Sequence, residues 1–202
     1  MQLGLLGPSM GHDQALERAA EFLHKERGVD RAIYLGVDNS LDKIVACWAE
    51  RLVGSDPGQA ALWHRATDRC LSGSADEIDS FIHSERERQR LKVFESLPGE
   101  STRAIELLNG KLAVLIYDKA YLDEEDILPA TLLVFGKSED ALIKRVGRRW
   151  FVSPGSFSHA GVMILDDHDS GIHLTMFDRE LKEKERSRLS TSRGVRLRVS
   201  GV

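Results

Sequence analysis

The dipeptide Asn109-Gly110 constrains what this chain can fold into more than any other feature. It joins two apolar runs, residues 104–108 and 111–117, and Asn-Gly between such runs is the strongest short hairpin signal because both turn positions require positive φ. Before it, strands alternate with helices. Residues 2–6 form a short apolar strand closed by Gly7-Pro8, and residues 13–27 space Leu16, Ala19, Ala20 and Leu23 along one helix face. Residues 31–36 (RAIYLG) read as a second buried strand. A helix capped by Asn39 or Ser40 then carries Leu41, Ile44, Val45, Trp48 and Leu52 inward. This βαβα rhythm implies parallel strands with crossover helices. A helix over 59–68, a short strand at 69–71 and a long helix over 76–97 with Asp76 as its N-cap complete the first half.

Beyond the hairpin the grammar changes, because strands now follow one another through tight turns. Residues 131–135, 150–152, 161–165 and 171–177 each predict a strand, with 166–170 turning between the last two. Parallel units followed by hairpins predict two packed sheets with helices outside. Residues 179–189 (RELKEKERSRL) predict a charged helix, and the alternating VRLRV at 195–199 an edge strand or a loose tail. The expected division is therefore a domain over 1–177 and a charged C-terminal extension over 178–202. Trp48 and Trp63 fall on helix faces and are expected to pack.

Charge narrows the function classes. With 28 Lys and Arg against 32 Asp and Glu, the net charge of -4 supplies no global field to recruit nucleic acid or an anionic membrane. A local basic strip, Arg186, Arg188, Arg193, Arg196 and Arg198, lacks the aromatic interleaving that stacks on bases, which argues against nucleic acid as a partner. Cys47 and Cys70 form no metal-finger or redox spacing and suit a reducing compartment. No apolar run approaches the ~20 residues that span a bilayer, and the N-terminus lacks a leader pattern, so a cytoplasmic protein without a membrane span is expected.

Six segments carry a resemblance: LGLLGPSMGHDQAL, YLGVD, SGSAD, GKLAVLIYDK, LLVFGKSE and SPGSFS. Their order and spacing resemble the small bacterial and archaeal metallophosphoesterases of the calcineurin-like superfamily, whose loops read D-x-H-G, L-G-D, G-N-x-D, a strand ending in H-G, G-H-x-H and N-P-G-S. The resemblance implies a four-layer α/β/β/α sandwich of two mixed β-sheets with the loops gathered at one edge. In that family two divalent metals about 3.5–4 Å apart generate the attacking hydroxide, which requires carboxylate, imidazole and amide ligands converging from several loops.

Matched position by position, the resemblance places Pro8, Met10, Val37, Ser74, Tyr117, Lys137 and Glu139 at the metal-ligand positions. Pro8 and Val37 have no side-chain lone pair, Met10 is a soft ligand, and Lys137 sets a cation where another cation belongs; only Glu139 remains a strong ligand. A pseudoenzyme follows, without metal or other cofactor, kept as a protein-interaction or scaffold module with a protein partner. An alternative from another class is a phosphoesterase whose remodelled site uses the neighbouring His12, Asp38, Asp76, Asp118 and Glu139. A second alternative is a small anion or nucleotide sensor using the Gly7–Gly11 loop and Lys137. A serine nucleophile at 153–158 beside His159 lacks the nucleophile-elbow pattern and is set aside.

Overall fold

The computed structural model describes residues 1–189. Its first sheet holds six strands and its second five. In the first sheet β1 (Gln2–Leu6), β2 (Arg31–Tyr34) and β3 (Phe94–Ser96) run parallel, and β9 (Val162–His168) joins β1 antiparallel. β10 (Gly171–Phe177) and β11 (Glu183–Leu189) extend that side. In the second sheet β5 (Lys111–Ile116), β6 (Leu132–Phe135) and β8 (Arg149–Ser153) are parallel, edged antiparallel by β4 (Ala104–Leu108) and β7 (Leu142–Val146).

Period-two alternation sorts the side chains into layers. Leu3, Leu5, Ile33 and Leu35 of the first sheet face Leu108, Leu115, Leu132, Val134 and Val152 of the second, all buried in the core between the sheets. On the opposite face of the first sheet, Leu6, Ala32 and Tyr34 meet α1 (Asp13–Glu21) and α2 (Ser40–Val53) through Leu16, Ala19, Ala20 and Leu41. The outer face of the second sheet has only thin cover: Val114 and Leu133 pack with Ile127 of the four-residue helix α5 (Glu124–Ile127), Leu122 and Phe151. The result is the expected α/β/β/α sandwich of two mixed sheets, with one helical layer much thinner than the other.

Asn109 (φ 49) and Gly110 (φ 65) occupy the β4–β5 turn, as their chemistry requires. Other expectations fail for identifiable reasons. The helix expected over 76–97 ends at Arg90 as α4 (Ala75–Arg90), and a 3-10 turn leads into β3. Leu91, Phe94 and Leu97 are all buried at intervals of three, so the strand was disguised as more helix. Residues 69–71 are not a strand but the last turn of α3 (Leu62–Ser72). Asp76 does not cap α4; the N-cap is Ser74, which forms a capping box with Glu77. Residues 183–189 are the edge strand β11 instead of a helix, because Asp178 Oδ1 accepts from the Glu180 and Lys182 amides and folds the chain back onto β10. The first sheet thus runs past Phe177 to Leu189. Trp63 is 77% exposed, whereas Trp48 is half-buried with its indole N–H donating to Glu17. The VRLRV alternation lies outside the described residues.

Two charged clusters fasten the layers. Arg31 of β2 donates to Glu95 of β3 and reaches across to Glu106 of β4, tying one sheet to the other. Glu85 of α4 accepts from Arg88 at 2.6 Å and from Arg65 of α3 at 2.6 Å; Glu85 and Arg88 are both buried, so each neutralises a charge the interior would otherwise reject.

Candidate functional site

The loops after β1, β2, β5, β6 and β8 meet at one edge, and backbone contact is what holds them there. Phe157 N donates to Pro8 O at 3.0 Å, Gly7 N to Gly161 O at 2.8 Å, and Asp118 N to Glu100 O at 3.4 Å. A Cβ on Gly7 would lie 1.8 Å from Gly155 O, and one on Gly136 would lie 2.0 Å from Leu35 O. Both glycines are therefore demanded by close backbone approach. The Ser153–Ser156 turn is buried, with Ser156 N donating to Glu139 O at 3.0 Å.

On the first-sheet side, Tyr34 is fully buried and its hydroxyl organises two loops. It accepts from Ser9 N at 2.9 Å and donates to the Asp38 carboxylate, whose oxygens lie 2.9 and 3.0 Å away. Asp38 also accepts from Ser40 N at 2.9 Å, and Ser9 Oγ lies 3.3 Å from Ser40 Oγ. Burial pushes the Tyr34 phenol well above its ordinary range, so it stays a neutral donor. Burial also pushes the Asp38 carboxyl up, but the Ser40 donors and the Tyr34 hydroxyl outweigh it and hold the group below the usual carboxylate range.

On the second-sheet side, Lys137 Nζ donates to Asp118 Oδ2 at 2.7 Å. The ammonium, helped by the Ala120 amide, depresses the Asp118 carboxyl, and Asp118 in turn raises Lys137. Lys119 places its ammonium 4.5 Å from the centre of the Phe135 ring.

The positions singled out by sequence separate into groups. Pro8 is buried, with its carbonyl engaged by Phe157; Met10 (φ 49) and Val37 are exposed. Tyr117 packs partly buried against the core between the sheets, and its carbonyl accepts from the Gly136 and Lys137 amides. His12 is the exposed N-cap residue of α1 without a side-chain capping bond, and Glu139 is exposed and contributes its carbonyl to Ser156. Ser74 and Asp76 do not join the rest. Asp76 lines a surface cavity with Leu52, Val53 and Gly54 at the far end of α2, a 14-residue helix roughly 20 Å long that starts beside Asp38. The third parallel strand is β3, so residues 97–102 take the edge position that sequence matching had given to SGSAD. Among the described residues, no three His, Cys, Asp or Glu side chains are grouped to hold a metal ion. Sequence reasoning missed Tyr34: a tyrosine inside the apolar run RAIYLG signals a buried hydroxyl in need of a partner, and Asp38 lies four residues on.

No protein-family model matches the chain, and no curated protein matches it. Solved structures do. A single mutant of Vps29 from Entamoeba histolytica is 13% identical with a TM-score of 0.51, covering 94% of this chain and 100% of its own. Vps29 from Chaetomium thermophilum is 11% identical with a TM-score of 0.50, covering 95% of this chain and 100% of its own. A predicted phosphoesterase from Streptococcus pneumoniae is 10% identical with a TM-score of 0.50, covering 93% and 98%. At such identities the likeness speaks for the fold alone, and the fold is that of the small metallophosphoesterase-like proteins.

Proposed function

We propose that this protein is a phosphoesterase-like module that binds a protein partner and does not hydrolyse phosphate esters. The observation that carries this reading is the state of the two edge carboxylates. Asp118 is engaged by the Lys137 ammonium, and Asp38 by the Tyr34 hydroxyl and the Ser40 amide, while Pro8 and Val37 at neighbouring positions offer no ligand atom. A divalent cation at this edge would have to displace Lys137 and break the buried tyrosine network, with few hard ligands in return. A protein partner is supported by the edge strand β4, where Ile105 is 62% and Leu107 64% exposed on the thinly covered side of the second sheet.

The test is elemental analysis of protein prepared without chelator, with turnover measured on generic phosphomonoesters and phosphodiesters. The expected result is no stoichiometric manganese, zinc, iron or nickel and no turnover, and Val37→Asp alone does not recover activity because metal affinity needs several ligands at once. Two metals per chain, with phosphatase turnover abolished by Asp38→Ala, would overturn the proposal and establish the remodelled enzyme. For the partner, affinity capture by the wild type should be lost in an Ile105→Lys/Leu107→Lys double variant that keeps the wild-type melting temperature.

A further inference from the structure

A second concavity adjoins the loop edge, on the flank where α1, the turn after β8 and the β10–β11 turn converge. It measures about 200 Å³, and its lining includes His12, Arg18, Arg179, Phe157 and Leu181 and no acidic residue. Two arginines and no carboxylate among the lining residues favour an anion over a cation in this small cavity. Neither Arg18 nor Arg179 enters an ion pair among the described residues. Asp178, the acid adjoining Arg179, is turned to the backbone: its Oδ1 closes the β10–β11 turn by accepting from the Glu180 and Lys182 amides at 2.9 Å.

The same turn positions the site. Arg179 Nε donates to His159 O at 3.1 Å, which steadies the guanidinium and leaves its terminal nitrogens uncommitted among the described residues. Leu181 adopts φ 62, a left-handed conformation that side-chain-bearing residues rarely take, and packs against the core beside α1. Phe157, also buried, gives the cavity an apolar wall. Across the cavity stands the start of α1, with His12 at its N-cap position, no side chain capping it and Asp13 in its first turn, while Arg18 lies in its last turn.

We propose that this cavity binds a small organic oxyanion with a compact apolar body. The anionic oxygens lie between Arg18 and Arg179, which present planar donor forks suited to carboxylate or phosphate, and the apolar body rests on Phe157 and Leu181. This site takes His12 and Phe157 from the loops of the edge but none of Tyr34, Asp38, Asp118 or Lys137, so the proposal stands whether or not that edge hydrolyses anything.

The experiment is isothermal titration calorimetry and thermal melting of the full chain at neutral pH with benzoate, phenyl phosphate, inorganic phosphate and benzylammonium. Benzoate or phenyl phosphate should bind saturably at one site and raise the melting temperature, inorganic phosphate should bind more weakly, and benzylammonium should not bind. Whichever of the first two binds more tightly identifies the oxyanion. Arg18→Ala and Arg179→Ala should each weaken that binding by about tenfold or more without altering the melting temperature of the free protein, since both side chains are exposed, and Arg→Lys at either position should restore only part of it. Absence of saturable binding by both organic anions, equal binding of inorganic phosphate, or an Arg18→Ala/Arg179→Ala double variant that binds like the wild type would each overturn the proposal.

Discussion

On the first-sheet side of the loop edge, Tyr34 lies fully buried and gathers Ser9 and Asp38 around one hydroxyl; on the second-sheet side, Lys137 and Asp118 pair at the surface. Both arrangements hold neighbouring loops, yet their energetics differ. The buried network has no water to replace a lost partner, so each missing hydrogen bond leaves a desolvated group behind. The outer pair keeps Lys137 59% exposed against 13% for Asp118, so water and salt can take over at the ammonium and the pair costs less to open. One side of the edge is therefore structural in the strict sense, and the other is adaptable.

The largest expected effect tests the backbone contact that underlies both sides. Gly7→Ala forces a methyl into the Gly155 carbonyl, backbone against backbone, and should cost about 3 kcal/mol or more in chemical denaturation. A loss under about 1 kcal/mol would show that the loops are not locked together. Next, Tyr34→Phe should cost about 1–3 kcal/mol, because it strips the acceptor from the buried Ser9 amide and the donor from Asp38.

That variant also sharpens the comparison through pH. The Tyr34 phenol is raised in the folded state, so the folded protein holds a proton that the unfolded chain releases above about pH 10. Wild-type stability present below that pH should fall as pH rises beyond it, and Tyr34→Phe should flatten that part of the alkaline limb. An unchanged alkaline slope in equilibrium unfolding would place the hydroxyl in water. Asp38 and Asp118 are depressed in the folded state, so their contribution is present above about pH 4 and disappears as pH drops through their lower folded values. The smallest effect belongs to Lys137→Ala: its melting temperature at neutral pH and moderate salt should equal that of the wild type, and a clear drop would mean that the exposed pair matters as much as the buried network.

The order of elements was legible wherever side-chain period and local chemistry agree. The apolar runs of β1, β2, β5 and β6 and the Asn109-Gly110 turn are read from neighbours in the chain, and the change from βα units to hairpins led directly to two sheets. Edge strands were legible least. β11 is made of residues that favour helices, and nothing near it in sequence reveals that β10 offers an unpaired edge. β3 was hidden because three buried residues spaced by three satisfy a helix and a 3-10-to-strand junction equally well.

At the candidate site, sequence by itself determined which residue types are present: Pro8, Met10, Val37 and Lys137 offer poor ligands to a hard metal wherever the loops place them. Only the tertiary structure decided which side chains meet. It set Asp76 about one helix length from Asp38, joined Asp118 to Lys137 across 19 residues, and brought Arg18 and Arg179 to one cavity from opposite ends of the chain. Such meetings depend on how sheets stack and strands add at an edge, which is settled by burial summed over the whole core and leaves no mark on the residues immediately around each side chain.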